Sequence, residues 1–405
     1  MTETVAGTHH SDDLWRYVAP DAYQIPQAPM AVMSRKGLAA LWRHFQGDED
    51  RPRPSLAADK TLHALPNPWL ERVAPDPSVN GWVTALGNSL ALWLNTETPS
   101  RSVIFVVAPP YTGSDKVLTA WGEQRGWRVL PSPKADRILS GTVDDPVAWQ
   151  AGATPWVLPR LERCYLRHVR GLGLVRRILA AVDAGMLGRG VIGCDSWAWA
   201  YLQHVWQGRS PVVMVPQALD RQRLTHYLVD LIDPGLRDGL DFKQSDNGAA
   251  IFGGSENEGG ATSRFLDELL AHSRGLAGVA HAIWRIALRY VPDSTETMDV
   301  VESASSPRRT IWVAPWDQLE LPIVPSGAGH EVAFVLHALL LHGGLTTDLL
   351  TELLPRVPHQ VTAVLAMLDD RGLVRSEGDV WTISPLGYPA VREFLKNEEY
   401  LLDVF

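Results

Sequence analysis

The sequence is poor in cysteine, in positive charge and in long apolar runs, and each shortage excludes a class of protein. Two cysteines, Cys164 and Cys194, cannot form a disulfide framework, so we expect a protein of the reducing cytoplasm. The formal net charge of -9 argues against a protein whose whole surface coats nucleic acid. No run approaches the roughly 18 apolar residues that cross a bilayer, and the first residues lack the basic start and apolar centre of a signal peptide.

What the sequence does contain indicates a well-packed protein of several domains. Hydrophobic residues make up 45% and charged residues 20% of its 405 residues, which is typical of globular chains and not of disordered ones. A chain of this length exceeds one ordinary core, so we expect two or three domains.

Five short apolar stretches alternate with helical patterns in the middle of the chain. The predicted strands are SVIFVVAP, GWRVLPSP, TPWVLP, GRGVIGCDS and SPVVMVPQ, which begin at residues 102, 126, 154, 188 and 210. Helical patterns cover residues 115–125, 160–182 and 196–207. Strands that alternate with helices predict an α/β fold with a parallel sheet covered by helices on both faces.

The last part of the chain has a different order of elements. HEVAFVLHALLLHGG, TTDLLTELLP and PHQVTAVLAMLDDRGL predict three helices, the second of them short, and VRSEGDVWTISPLG predicts a hairpin. This order resembles a winged helix-turn-helix domain. Its third helix carries Asp369 and Asp370 and residues 331–405 are acidic, so we predict contact with protein in preference to DNA.

The loop after the first predicted strand, APPYTGSDK, is placed as a phosphate-binding loop would be. The motif G-x-x-x-x-G-K-[ST] binds phosphate through glycine-loop N–H groups and lysine, and Mg²⁺ through its hydroxyl. With the second glycine aligned on Gly113, Ser114 stands at the lysine and Asp115 at the hydroxyl residue, while Lys116 comes later. Pro109 and Pro110 also remove two N–H groups. The alternative is an ordinary capped turn from strand to helix.

Together these features resemble the STAND and Orc/Cdc6-like branches of the AAA+ P-loop NTPases, in a degenerate form. The resemblance implies a P-loop-NTPase-like core, a helical lid and a terminal winged helix. It also implies that Gly113, Ser114, Asp115 and Lys116 contact a nucleotide. In the same way it implies catalytic or sensor roles for Glu162 and Asp195, and a phosphate-sensor role for Arg274 in the lid.

The resemblance divides the chain into four parts. Residues 1–77 form an extended N-terminal arm, with a short helix at 34–45 and a linker at 46–55; residues 78–232 form the P-loop-like core; residues 233–309 form the helical lid; and residues 310–405 form the winged-helix domain. The lid contains two helices within 263–290 that break at Arg274. The glycine-rich segment 245–263 is predicted to be a mobile loop, and no strand is predicted between residue 232 and the C-terminal hairpin.

Arginines recur at helical spacing in the segment after the third predicted strand. Arg160, Arg163, Arg167 and Arg170 would share one face of a helix over residues 160–182. Such a face can bind an acidic partner surface or phosphate. The alternative is pairing with acidic loops of the same chain.

The sequence therefore favours a regulatory or scaffold protein that works in a larger intracellular complex through its winged helix and its arginine-rich segment. We expect little or no turnover, no required cofactor and no metal site, although ATP or ADP with Mg²⁺ is the ligand that the resemblance implies. Two alternatives stay open. One is an atypical Mg²⁺-dependent ATPase that uses Lys116, Asp115, Glu162 and Asp195. The other is a DNA-binding regulator.

Overall fold

The structure is a computed structural model. It describes residues 14–26, 62–97, 101–143, 146, 154–206, 208, 211–252, 263–292, 309–355 and 357–405. The short helix predicted at residues 34–45 and the linker predicted at 46–55 lie outside these ranges.

The strands are numbered in chain order. They are β1 (Tyr17–Val18), β2 (His63–Ala64), β3 (Val103–Ala108), β4 (Arg128–Val129), β5 (Trp156–Leu158), β6 (Gly190–Asp195), β7 (Val212–Pro216), β8 (Leu240–Gln244), β9 (Leu288–Tyr290), β10 (Arg309–Val313), β11 (Leu345–Thr346), β12 (Val374–Glu377) and β13 (Val380–Ile383). The five strands predicted for the middle of the chain correspond to β3 to β7.

The α-helices are numbered in the same way. They are α1 (Asn67–Val73), α2 (Asn80–Asn95), α3 (Ser114–Gln124), α4 (Ala135–Ser140), α5 (Gly173–Asp183), α6 (Ser196–Val205), α7 (Arg221–Asp230), α8 (Phe265–Ser273), α9 (Ala277–Ala287), α10 (His330–His342), α11 (Thr347–Leu353), α12 (Pro358–Asp370) and α13 (Tyr388–Asn397). Within the described part of the chain, no helix is long and apolar enough to cross a membrane.

The chain forms two compact units, each built from separated segments. The first unit consists of Met1–Gln24, Ser78–Gln217 and Pro322–Phe405, and the second of Ile25–Pro77 and Ala218–Leu321. In this division, the C-terminal segment belongs to the same unit as the core around β3.

A six-stranded sheet organises the first unit, and it confirms the predicted α/β class with a parallel sheet. The strand order is β1-β7-β3-β6-β5-β4, with only the short edge strand β1 antiparallel to its neighbour. Every residue of β3 is buried, as expected for a parallel strand covered on both faces. The chain leaves β3 for the far edge strand β4 and then returns strand by strand. In open α/β sheets, ligands bind outside the carboxyl ends of the strands at such a reversal.

The core of this unit is built by the alternation of side chains along the strands. Val103, Phe105 and Val107 of β3 enter one apolar cluster with aromatic and aliphatic residues from α5 and α6. The Phe105 ring lies 5.1 Å from the ring of Trp199 and 5.6 Å from that of Trp206. The centre of the sheet is therefore rigidly packed, which fixes where the loops at its carboxyl end begin.

The C-terminal part of the first unit contains the predicted helices as α10, α11 and α12 and the predicted hairpin as β12 and β13. Its three strands pair antiparallel in the order β11-β13-β12. The hairpin turn lies at Gly378 and Asp379, since Glu377 pairs with Val380. Helix α10 is apolar around most of its circumference, and ten of its residues are buried.

The second unit corrects one prediction. No strand was predicted between residue 232 and the C-terminal hairpin, yet β8, β9 and β10 lie there and form, together with β2, a four-stranded sheet in the order β2-β9-β10-β8. Strand β8 ends directly before the segment 245–263 predicted as a mobile loop, and it pairs in parallel with β10 from Leu240↔Arg309 to Gln244↔Val313. Residues 253–262 of that segment lie outside the described part. The two predicted helices are present as α8 and α9.

The helix predicted over residues 160–182 is also wrong in its first half. Residues Leu161–Arg163 form one 3₁₀ turn, and the α-helix begins only at Gly173. Between them the Leu166 N–H donates to the Gly171 carbonyl at 3.1 Å, which closes a turn. A Cβ at Gly171 would collide with the Leu166 carbonyl oxygen, so glycine is required there. The four arginines therefore do not share a helix face.

Candidate functional site

The loop between β3 and α3 departs from ordinary backbone geometry at two residues. Tyr111 has φ of 64° and Gly113 has φ of 68°, both in the left-handed region. Such a conformation is rare for a bulky residue like tyrosine and marks local strain that the surroundings must hold. Pro109 and Pro110 end the strand because they cannot donate to the sheet. Helix α3 then begins at Ser114.

The backbone N–H groups of this loop and the hydroxyl of Ser114 have no hydrogen-bond partner among the described residues. Within the described residues, no backbone N–H from Tyr111 to Lys116 donates to a protein atom; the first helical bond runs from the Val117 N–H to the Gly113 carbonyl at 3.0 Å. The Ser114 hydroxyl is buried and has no hydrogen-bond partner. Free N–H groups at a helix N-terminus, together with the helix dipole, form an anion-binding site.

A cavity of about 530 Å³ lies in front of these donors. It is bounded by the carboxyl ends of β3, β5 and β6, and on the other side by the end of α10 and the strands β12 and β13. Its volume falls in the range of small-molecule sites. The structure thus brings together the predicted residues of the first unit: the cavity is lined by Gly113, Ser114, Asp115, Lys116, Arg160, Glu162, Arg163 and Asp195.

Glu162 occupies the end of β5 and is fully engaged with its own neighbours. The carboxylate is buried; Oε1 accepts from Arg160 Nε at 2.8 Å, and Oε2 accepts from the Asp195 N–H at 3.2 Å. A general base must have a free oxygen within reach of the proton it removes. Both carboxylate oxygens of Glu162 are instead used to hold the ends of β5 and β6 together.

Asp195, at the end of β6, caps the following helix. Its Oδ1 accepts from the Trp197 N–H at 2.8 Å, which is the N-cap arrangement of α6. Burial, followed by the nearby Glu162 carboxylate, raises the pKa of Asp195 well above its ordinary value. The charged form of Asp195 is therefore less favoured than that of an exposed aspartate.

The two arginines nearest β5 are directed at the C-terminal segment of the same unit. Arg163 Nη2 donates to the Gly343 carbonyl at 2.6 Å, and Arg160 Nη2 donates to the same oxygen at 3.3 Å. Gly343 follows the last residue of α10, where the helix dipole favours positive charge. Burial, followed by the positive charge of Arg160, lowers the pKa of Arg163 to about 10.

The other two predicted partner-binding arginines are exposed. Arg170 Nη2 lies 4.0 Å from a carboxylate oxygen of Glu352, and the Arg167 guanidinium lies 6.0 Å from the centre of the Tyr201 ring. Exposed pairs of this kind contribute little to stability. All four arginines therefore have contacts within the same chain, and two of them, Arg160 and Arg170, lie within 4.0 Å of a carboxylate oxygen.

Further contacts fasten the C-terminal segment to the core, and sequence reasoning did not find them. The Tyr111 hydroxyl donates to the Ile383 carbonyl at 2.8 Å, Trp197 Nε1 donates to the Tyr388 hydroxyl at 3.1 Å, and the Ser196 hydroxyl donates to the buried Asp403 carboxylate at 2.6 Å. Ser196 is the last residue of the predicted strand GRGVIGCDS. Its partner lies 207 positions away.

The two remaining predicted residues, Lys116 and Arg274, belong to different units. Lys116 lines the cavity and its side chain is exposed. Arg274 belongs to the second unit, where it takes a left-handed conformation, with φ of 55°, between α8 and α9. Its role as a phosphate sensor stays a prediction.

The cavity residues fit a phosphate-bearing ligand better than they fit Mg²⁺. The open N–H groups and the unpartnered Ser114 hydroxyl suit a nucleotide phosphate. Mg²⁺ requires near-octahedral oxygen ligands, but Arg160 already contacts Glu162 and lies 3.9 Å from Asp115. Across the described ranges, no group of three or more His, Cys, Asp and Glu side chains is placed to hold a metal ion.

Neither a protein-family model nor a curated protein matches the sequence. Among solved structures, the chain is similar to a Walker-type ATPase of Pyrococcus abyssi, with 11% identity, a TM-score of 0.32 and coverage of 79% of this chain and 97% of the other. It is also similar to Cdc6p from Pyrobaculum aerophilum, with 14% identity, a TM-score of 0.27 and coverage of 80% and 96%. Both TM-scores lie below 0.5, so we take no functional assignment from either likeness.

Proposed function

We propose that this chain is a non-catalytic or weakly active regulatory protein of AAA+/STAND-like architecture that holds a nucleotide, ATP or ADP, without turning it over. One observation carries the proposal. The donors at the start of α3 have no protein partner, whereas the carboxylates at the ends of β5 and β6 are all engaged.

Binding depends on the loop side of the cavity. A phosphate at the N-terminus of α3 would accept from the N–H groups around Gly113 and from the Ser114 hydroxyl, close to the exposed ammonium of Lys116. These are the groups that a phosphate loop supplies, even though the residue types differ from the standard motif.

Hydrolysis would depend on the opposite side, and that side offers no free base. Water must be activated by a base whose acceptor atom lies about 2.6–3.2 Å from the water oxygen. Glu162 is ion-paired with Arg160 and accepts the Asp195 N–H, while Asp195 caps α6. Releasing either carboxylate would leave a buried donor without its acceptor, which costs about 1–3 kcal/mol.

The C-terminal segment is proposed to be a winged helix that contacts a protein partner. Helix α12, the third helix of that segment, contains no lysine or arginine, and its exposed side includes Asp369 and Asp370. Duplex DNA binding draws most of its affinity from cationic contacts to phosphate. An acidic helix therefore suits the basic surface of a partner protein better than DNA.

The proposal is tested by measuring ATP binding and ATP turnover on the same purified protein. Calorimetric titration is expected to show one ATP or ADP site per chain, and a phosphate-release assay is expected to show no turnover above background. Turnover that disappears in Lys116→Ala would contradict the proposal and support an atypical ATPase. Loss of binding in Gly113→Ala with retention in Gly126→Ala would assign the site to the loop.

A further inference from the structure

Arg160 lies between two carboxylates that face the cavity. Its Nε donates to Glu162 Oε1 at 2.8 Å, and its Nη1 lies 3.9 Å from Asp115 Oδ2. The third nitrogen, Nη2, donates to the Gly343 carbonyl at 3.3 Å. All three guanidinium nitrogens are therefore directed at oxygen atoms, and the side chain is only 31% exposed.

Both carboxylates lie at the carboxyl end of the parallel sheet, and Arg160 lies between them. Asp115 is the second residue of α3 and stands where G-x-x-x-x-G-K-[ST] has its Mg²⁺-binding hydroxyl. Glu162 comes from the segment directly after β5, at the carboxyl end of the neighbouring part of the sheet. A cation between them is needed, because two unpaired carboxylates would repel a phosphate.

We propose that the Arg160 guanidinium takes the place of the divalent cation in this site, so that the site binds a phosphate-bearing ligand without Mg²⁺. The guanidinium supplies one fixed positive charge and several donors in a planar fork, which matches two carboxylates and a carbonyl. The binding half of this statement rests on the proposed function. The exclusion of metal rests on the position of Arg160 alone.

Arg160 and a Mg²⁺ held by Asp115 and Glu162 would compete for the same carboxylates. A dication held by Asp115 and Glu162 would lie within a few ångströms of the guanidinium, and like charges at that distance repel strongly in a half-buried cavity. The guanidinium cannot lose its proton to relieve the repulsion. Metal could enter only if Arg160 left both carboxylates and the Gly343 carbonyl.

The first experiment is a calorimetric titration of the wild-type chain with ATP, once with excess Mg²⁺ and once with excess EDTA. The two dissociation constants are expected to agree within about twofold. An affinity that Mg²⁺ raises by about tenfold or more would overturn the proposal. This comparison needs no variant and is therefore independent of any effect on folding.

The second experiment measures Mn²⁺ binding by electron paramagnetic resonance, with no nucleotide present. Wild-type protein and Arg160→Lys, which keeps the positive charge, are expected to bind no Mn²⁺ at the cavity, whereas Arg160→Ala is expected to gain a site. Arg128→Ala, an exposed arginine outside the cavity lining, is the matched control for the loss of one charge. Equal Mn²⁺ binding by wild type and Arg160→Ala would overturn the proposal.

The two experiments separate the failure of this inference from the failure of the proposed function. If ATP binds neither with Mg²⁺ nor with EDTA, the proposed nucleotide site is wrong, and the Mn²⁺ measurement still decides the role of Arg160. If ATP binds but requires Mg²⁺, the nucleotide site stands and the role of Arg160 is wrong.

Discussion

Two regions of the first unit face the same cavity with their polar groups in opposite states. On the loop between β3 and α3, the N–H groups from Tyr111 to Lys116 have no described protein acceptor and the Ser114 hydroxyl is unpartnered. At the ends of β5 and β6, Glu162 and Asp195 each accept hydrogen bonds from the protein. The loop side of the cavity therefore offers unpaired donors to a ligand, whereas the carboxylates on the opposite side already accept hydrogen bonds from the protein.

The difference shows that ligand binding and catalysis make separate demands on such a site. Anion binding requires free donors, and these are supplied by backbone geometry at Gly113 and the start of α3. Catalysis requires a free base or a metal. Because Arg160 and Glu162 pair with each other, Glu162 is not a free base. The donors that anion binding requires are not affected by this pair.

The largest effect is expected from Glu162→Ala. The change leaves the half-buried Arg160 guanidinium and the Asp195 N–H without their acceptor, so the free energy of unfolding should fall by about 2–4 kcal/mol. Denaturation by urea, followed by circular dichroism, measures it. Glu123→Ala removes an exposed carboxylate of α3 and should change stability by less than about 0.5 kcal/mol. Equal effects of the two variants would show that the contacts of Glu162 do not stabilise the fold.

A pH dependence is expected from Asp195. Because its pKa is raised in the folded state, the folded chain holds this proton to a higher pH than the unfolded chain, whose aspartates titrate near about 3.9. The stability contributed by this group is full below about pH 4 and falls as the pH rises through the raised pKa.

Asp195→Asn removes that titration and keeps an oxygen for the cap of α6. Its free energy of unfolding, relative to wild type at each pH, should therefore increase as the pH rises above about 4, by at most about 1.4 kcal/mol per pH unit. Asp136→Asn corrects for the loss of one negative charge elsewhere on the unit. A difference between wild type and Asp195→Asn that is constant with pH would contradict the raised pKa.

A smaller effect on stability is expected from Gly113→Ala, which tests the loop between β3 and α3. No atom lies within 4 Å of a Cβ at this position, so only the left-handed backbone is strained, at about 1 kcal/mol. Gly126→Ala has the same surroundings, with φ of 67°, and should cost the same stability. Only Gly113→Ala should weaken ATP binding, by about tenfold, since it shifts the loop N–H groups. Equal affinities of the two variants would place the ligand elsewhere.

The smallest effect on stability is expected from Ser114→Ala. The hydroxyl has no protein partner, so its removal should leave the free energy of unfolding within about 0.5 kcal/mol of wild type. ATP affinity should nevertheless fall about fivefold, the value of one hydrogen bond of about 1 kcal/mol. Ser89→Ala, whose hydroxyl bonds to the Ala85 carbonyl of its own helix, provides the comparison. Unchanged ATP affinity in Ser114→Ala would exclude the hydroxyl from the site.

Much of the sheet was predictable because its signal is local. The run from Val103 to Ala108 is apolar without interruption, and such runs are typical of strands buried on both faces. The site was predictable only as a set of positions: Gly113, Asp115, Glu162 and Asp195 do meet at one cavity. Their hydrogen-bond partners were not predictable, because these come from distant parts of the chain.

The wrong predictions have the same cause. Arginines at helical spacing predicted a helix from residue 160, but Arg160 and Arg163 are held by the Gly343 carbonyl, about 180 positions away in the chain. No strand was predicted between residue 232 and the C-terminal hairpin, but β8 forms because β10 supplies a parallel partner. The spacing of residues along a short segment cannot predict a contact with a residue that lies far away in the chain.

The sequence by itself determined the alternation of strands and helices, the left-handed glycine before α3 and the acidic character of α12, since each depends on neighbouring residues. Only the tertiary structure decided the electrostatic state of the site. Whether Glu162 is a base or a partner of Arg160 depends on which groups surround it in a half-buried cavity, where charges interact strongly. Those surroundings come from β5, β6, α3 and the C-terminal segment together, and no stretch of sequence contains them all.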